Sequence, residues 1–177
     1  VRGDWSVSLD RELGDIGPKT YAKICELLLR MKANMLAPAM HPGSGAFNKY
    51  PENKIVADSY AIVMTSSHCE PLLFNNVSEW HKETMGEWNY MTNKAGINKQ
   101  LDKRIAENGK YENFYTLAMR GIHDAGLVGV PKDKEVSVVE EVIKDQREIL
   151  SKHIPENIDS IPQLFVPYKE VMDIYER

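Results

Sequence analysis

The chain has 177 residues, enough for about one domain, with 42% apolar and 27% charged residues, an ordinary globular balance. Its net charge is −4, with no basic block and no basic-aromatic interleaving, which speaks against nucleic-acid binding. No apolar run approaches about 18 residues, so no membrane-spanning helix is expected, and two cysteines, Cys25 and Cys69, do not make a disulfide framework.

Val1-Arg2-Gly3 has neither an initiator Met nor an apolar signal region. The chain stops at Tyr175-Glu176-Arg177, inside a helical pattern. It reads as a single partial domain, residues 1–177, cut at both ends from a longer multidomain protein. On that expectation the missing targeting signals say little about location.

Trp5 to Leu9 alternates and predicts a first strand, followed by Asp10-Arg11-Glu12. Gly17-Pro18 starts a helix, with Pro18 near its first position. Tyr21, Ile24, Cys25, Leu28 and Met31 recur at three and four, which puts Cys25 on the core face. Ala33 to Met40 predicts a second strand, ending at the loop His41-Pro42-Gly43-Ser44-Gly45. A short helix is expected around Pro51 to Ser59, and a third strand over Tyr60 to Thr65, closed by Ser66-Ser67-His68-Cys69-Glu70-Pro71.

Asn75 to Asn93 holds Trp80, His81, Trp88 and Tyr90 among polar residues. A helix over about Asn93 to Asn108 ends at Gly109. Phe114 to Met119 is a mostly apolar run, the pattern of a strand buried on both faces. After the Gly-rich loop Gly126 to Pro131, a helix runs from about Lys134 to Lys152 and Pro155 stops it. Leu164 to Val166 predicts the fifth strand, and Lys169 to Tyr175 another helix. Alternation of this kind argues an α/β fold with a parallel sheet and helices outside. Every predicted strand ends in polar residues, as in a TIM-type (β/α)8 barrel with all sites at one mouth. Five strands do not close such a barrel, so a partial one of about five βα units is expected.

Two strand ends carry the most chemistry. Arg120, His123 and Asp124 follow one strand, with Gly121 to let the backbone turn. Tyr168, Lys169 and Glu170 follow another. Asp124 and Glu170 form a candidate general acid and general base, a pairing that needs two carboxyl groups with diverging pKa values. Each carboxylate alone also reads as a helix N-cap. Arg120 offers a planar fork to a substrate carboxylate, or an internal ion pair to Asp124 or Glu170. His68 and His123 suit hydrogen bonds to substrate hydroxyls, and His41, Glu70, Tyr168 and Lys169 share that mouth. Trp88 and Tyr90, with Trp80, read as faces for sugar stacking or as a satellite core under a long loop. His41, His68, Cys69, Glu70, His123 and Asp124 would also suit a metal-dependent barrel hydrolase, although no H-x-H or H-E-x-x-H spacing is present. A third reading is a non-catalytic carbohydrate-binding remnant.

Several blocks resemble glycoside hydrolase family 115. They are N-M-L-A-P-A-M-H-P-G-S-G-A-F-N at 34–48, P-E-N at 51–53, S-S-H-C-E-P at 66–71 and N-N-V-S-E-W at 75–80. W-N-Y at 88–90, M-R-G-I-H-D at 119–124 and V-P-Y-K-E-V at 166–171 continue the series. At 7–12 the chain has V-S-L-D-R-E where the family commonly has an I-N-D-E-type strand end. The resemblance implies an inverting α-glucuronidase that removes α-1,2-linked glucuronic acid, or its 4-O-methyl ether, from glucuronoxylan, with no metal and no cofactor. It implies a TIM-type barrel within a secreted or periplasmic, often dimeric, protein. The family's proposed catalytic carboxylates map onto Asp124 and Glu170, and its uronate-contacting arginine onto Arg120.

Overall fold

The structure, a computed structural model, describes residues 8–176, without the side chains of Glu170 and Tyr175. The strand expected at Trp5 to Leu9 falls mostly outside the described residues; Ser8 and Leu9 are helical.

The first long helix, α1 (Pro18–Arg30), begins with proline at N1. Its N-cap, Gly17, makes no side-chain cap. The capping comes instead from Asp10, whose carboxylate accepts from the backbone N–H of Gly17, Lys19 and Thr20 and from the Thr20 hydroxyl. A Cβ at position 17 would lie 2.8 Å from Asp10 Oδ1 and 2.9 Å from Asp10 Cγ, so glycine lets the Asp10 carboxylate come this close. The face with Tyr21 and Cys25 packs against Phe47, Ala57, Ile62 and Met64 in the smaller of two cores.

Strand β1 (Met35–Leu36) pairs in parallel with β2 (Val63–Met64), Met35 against Val63 and Leu36 against Met64. The 3-10 turn Phe47–Lys49 and helix α2 (Pro51–Ser59) connect them. A second turn, Pro71–Leu73, and helices α3 (Lys82–Met85) and α4 (Tyr90–Asn108) lead to β3 (Tyr115–Leu117). Helix α5 (Glu135–His153) then leads to β4 (Gln163–Phe165), which pairs in parallel with β3, and α6 (Glu170–Tyr175) follows. A single parallel bridge, Met64 to Asn113, joins the two pairs. Among the described residues, four parallel strands thus stand in sequence order, with all carboxyl ends on one side. The larger core lies between β3, α4 and α5 and includes Ile97, Leu101, Ile105, Leu117, Val142 and Leu150.

The expected barrel is only partly met. Among the described residues the strands form two small two-stranded parallel sheets, and no closed barrel is present. β3 is buried throughout, whereas β4 leaves Leu164 39% exposed. The strands are also shorter than the apolar runs suggested. Pro38 has no N–H to give a ladder. Ala61, at φ 52°, belongs to the turn that ends α2, with its N–H on the Asp58 carbonyl. The helix expected from Asn93 begins earlier, at Tyr90, because Asn89 accepts from the Met91 N–H. It kinks at Asn93, whose side-chain amide donates to the carbonyls of Met85 and Glu87.

Past the last residue of β3, Ala118 has its N–H and C=O taken by one side chain. Gln146 of α5 accepts from the N–H at 3.0 Å and donates to the carbonyl at 2.7 Å. Gln146 is fully buried. Replacing Gln146 with Leu would strand both backbone groups without water, at about 1–3 kcal/mol each. Gln146→Leu is therefore expected to lower unfolding stability by about 2–6 kcal/mol in urea; a loss below about 0.5 kcal/mol would show that Ala118 finds other partners.

Candidate functional site

The site grows from the end of β3. Arg120 follows Ala118 and Met119 and is 1% exposed. Its guanidinium donates to Asp124 Oδ1 at 2.5 Å and to the Asp124 carbonyl at 3.3 Å. The loop between them folds back on itself, with the Gly121 N–H on the Ala125 carbonyl at 2.9 Å. A Cβ at Gly121 would lie 2.4 Å from the Gly126 carbonyl, so this turn needs glycine. His123 adopts φ 58°, a left-handed conformation uncommon for a residue with a side chain. The Trp88 indole N–H donates to the Arg120 carbonyl at 2.9 Å.

Two further strand ends converge on Asp124. His68, from the loop after β2, places Nε2 3.1 Å from Asp124 Oδ1. An ionised carboxylate only accepts, so Nε2 carries the proton in this contact. Lys169, at the N-cap of α6, donates its ammonium to Asp124 Oδ2. The hydrogen bonds from Lys169, Arg120 and His68, in that order of weight, hold the Asp124 carboxyl well below the usual carboxylate range. The Lys169 ammonium is in turn raised by Asp124. Lys169 itself has φ 53° and is not extended.

Tyr168 lies over this cluster. Its ring is 5.6 Å from the Arg120 guanidinium carbon, 5.2 Å from the Lys169 ammonium and 4.6 Å, edge-on, from the His68 ring. His41 stands edge-on to His123 at 5.9 Å, and its Nδ1 accepts from the Gly43 N–H. Arg120, His123, Asp124, His68, Tyr168, Lys169 and His41 are thus gathered at one mouth. Glu170 is the first residue of α6, but its side chain is outside the described residues.

Three expected site residues are placed elsewhere. Glu70 is buried and takes no part in the cluster; its carboxylate accepts from the Ser67 N–H at 3.1 Å and the Ser67 hydroxyl at 2.8 Å. It lines, with Thr65, Asn75 and Glu79, a cavity of about 20 Å3, the size of one water. Trp88 is 8% exposed, stacked on Phe74 at 6.0 Å and edge-on to Trp80 at 4.9 Å. Tyr90 is 2% exposed and its hydroxyl is shared between Asn98 and Asp145. Their ring faces are spent on packing, so the satellite-core reading describes them better than sugar stacking. Among the described residues, no three His, Cys, Asp or Glu side chains group as a metal site.

Sequence reasoning missed Asn76, which joins the loops around the site. It missed the direct support that Trp88 gives Arg120. Nothing in residue type or spacing marks an amide whose partners are backbone groups 45 and 47 residues away.

The chain matches the profile of glycosyl hydrolase family 115 over residues 3–177. Among solved structures it resembles one described as a novel family GH115 4-O-methyl-α-glucuronidase, BtGH115A, with specificity for decorated arabinogalactans. The two share 37% identity with a TM-score of 0.91, over 98% of this chain and 23% of that one. The chain therefore spans about a quarter of that relative's length. No curated protein matches.

The buried Glu70 yields a pH prediction. Burial pushes its carboxyl up from 4.5 to about 7, against the lowering effect of the Ser67 hydrogen bonds; the nearby Glu79 adds to the rise. A carboxyl raised by folding contributes stability that is full below its unfolded value and is lost as the pH climbs through its folded value. The window is thus 4.5 to about 7, and the span corresponds to about 3 kcal/mol. Glu70→Gln has no proton to lose and keeps an acceptor for Ser67. It should match the unsubstituted protein near about pH 4 and exceed it above about pH 7 in thermal unfolding. Equal or lower stability of Glu70→Gln at about pH 8 would contradict this.

Proposed function

The chain belongs to glycosyl hydrolase family 115, and from this premise we propose that it forms part of the catalytic barrel of an inverting α-glucuronidase. The four described parallel strands in sequence order support the barrel reading. The observation that carries the functional reading is the convergence of Arg120, His68 and Lys169 on Asp124 at the carboxyl ends of those strands. Such strand ends are where α/β barrels build their sites.

The cluster suits an anionic sugar. A net charge of −4 does not draw a uronate, so local cations must. Arg120 is buried, whereas the Lys169 side chain is 48% exposed and reaches the mouth. A uronate carboxylate that takes up Lys169 removes one donor from Asp124. Asp124 is then a stronger base with substrate bound than without it. In this reading Asp124 removes a proton from water as the water attacks the anomeric carbon. Glu170 gives a proton to the leaving glycosidic oxygen, and the glucuronic acid departs with inverted configuration. Inversion asks for carboxyl groups about 6.5–9.5 Å apart, with the water between. Tyr168, His68, His123 and His41 supply an aromatic face and hydrogen-bonding groups for the sugar and its polysaccharide.

The substrate class is an α-linked glucuronate or 4-O-methylglucuronate on a plant polysaccharide. Glucuronoxylan is the expectation from the family; decorated arabinogalactan is the substrate named for the structural relative. The natural full-length protein should release the uronate from at least one of them, with the β-anomer appearing first in proton NMR. Folded protein that releases none would refute the reading. Asp124→Ala and Glu170→Ala should each lower kcat by about 10²–10⁴-fold. A leaving group that needs no protonation should partly restore Glu170→Ala only; restoration of Asp124→Ala instead would exchange the two roles.

The exposed cation, Lys169, carries a separate prediction. Lys169→Met should raise KM for the uronate substrate by about 10-fold or more and leave a neutral-sugar analogue nearly unaffected. If both substrates suffer alike, Lys169 serves the loop rather than the ligand.

A further inference from the structure

His68 and Asp124 belong to different loops, after β2 and after β3, yet their side chains meet at 3.1 Å. Backbone pairing does little to set that distance. Among the described residues the two strands share one bridge, from Met64, the last residue of β2, to Asn113, before the start of β3. The Thr116 hydroxyl adds one link, to the Ser66 carbonyl at 2.9 Å.

Asn76 adds three links from a single amide. Its Nδ2 donates to the Cys69 carbonyl and to the Gly121 carbonyl, each at 3.3 Å. Its Oδ1 accepts from the His123 N–H at 3.1 Å. The residue is 1% exposed, so water is no substitute partner. The three backbone groups are those of the residue after His68, the residue after Arg120 and the residue before Asp124. The His123 bond also falls on a residue with φ 58°, whose backbone needs support from its surroundings.

We infer that Asn76 is a positioning residue for the hydrolysis: its amide staples the loop after β2 to the loop after β3 and so sets the His68–Asp124 hydrogen bond. The inference rests on the glucuronidase reading for its catalytic consequence, and on the geometry alone for its structural one. An amide is required because the three partners are two acceptors and one donor. An aspartate of the same size turns both N–H donors into an acceptor facing two carbonyls.

The test uses the natural full-length protein and its Asn76→Ala and Asn76→Asp variants. Asn53→Ala is the control, since Asn53 is another buried amide holding a backbone carbonyl, that of Phe47, outside this cluster. The first readout is the His68 Nε2–H resonance in NMR, which the bond to Asp124 protects from exchange with water. It should be lost in both Asn76 variants and kept in Asn53→Ala. The second is steady-state kinetics: kcat should fall by about 10–100-fold in the Asn76 variants while KM changes far less, because a misplaced base costs rate rather than binding.

Folded Asn76 variants that keep the resonance and kcat would overturn the inference, as would equal loss in Asn53→Ala. Should the Asn76 variants not fold, hydrogen exchange in the unsubstituted protein decides. The His123 amide is expected to be protected although its loop lies at the surface, and rapid exchange would overturn the staple. If the unsubstituted protein releases no uronate, the glucuronidase reading fails while the resonance and exchange readouts still judge Asn76.

Discussion

The Arg120 guanidinium is a permanent positive charge held almost entirely out of water. A charge in that position persists only where an anion and further acceptors meet it. The chain supplies the anion from four residues away, and this fixes the course of the backbone. The loop must double back, which is why Gly121 stands at the turn and His123 takes a left-handed conformation. Asp124 then presents its second oxygen outward, where Lys169 finds it. The arrangement of cations around one carboxylate follows from burying the first of them.

The supports behind Arg120 are polar and aromatic groups drawn from other elements. Gln146 takes the place of a strand neighbour for Ala118, and Trp88 holds the Arg120 carbonyl. Trp88 is itself clamped between Phe74 and Trp80. The larger core and the site are therefore continuous: a shift in the aromatic packing reaches the guanidinium through one hydrogen bond. This continuity has a physical cause in the shortness of β3. Three paired residues leave the backbone beyond them without a ladder, and side chains from α5 and the 75–90 segment complete it.

The parts of this arrangement that were legible in the sequence are the local ones. The helix at 51–59 has its proline start, and α5 has its apolar spacing and its terminating proline, Pro155. Asp124, Arg120, His68 and Lys169 could be chosen because polar residues directly after apolar runs are concentrated at strand ends. Strand lengths were overread, since an apolar run does not reveal where a turn such as that at Ala61 begins. Trp88 and Tyr90 read equally as faces for sugar stacking and as a satellite core, because their sequence neighbours are polar and give no sign of burial. Those neighbours turn inward: Asn76 and Asn93 spend their amides on backbone carbonyls, so a polar segment builds a buried layer. Long-range bonds from side chain to backbone leave no periodic trace, and Gln146 and Asn76 were invisible for that reason.

The cap on α1 has a kinetic meaning. A helix with its own N-cap residue can nucleate alone, since the capping oxygen travels with the turn it caps. In α1 the capping carboxylate belongs to Asp10, seven to ten residues upstream of the groups it binds. The first turn of the helix is therefore completed only when the preceding segment has closed over it. Helix and segment should gain their order together, as one cooperative unit, and fray together when either end is pulled away.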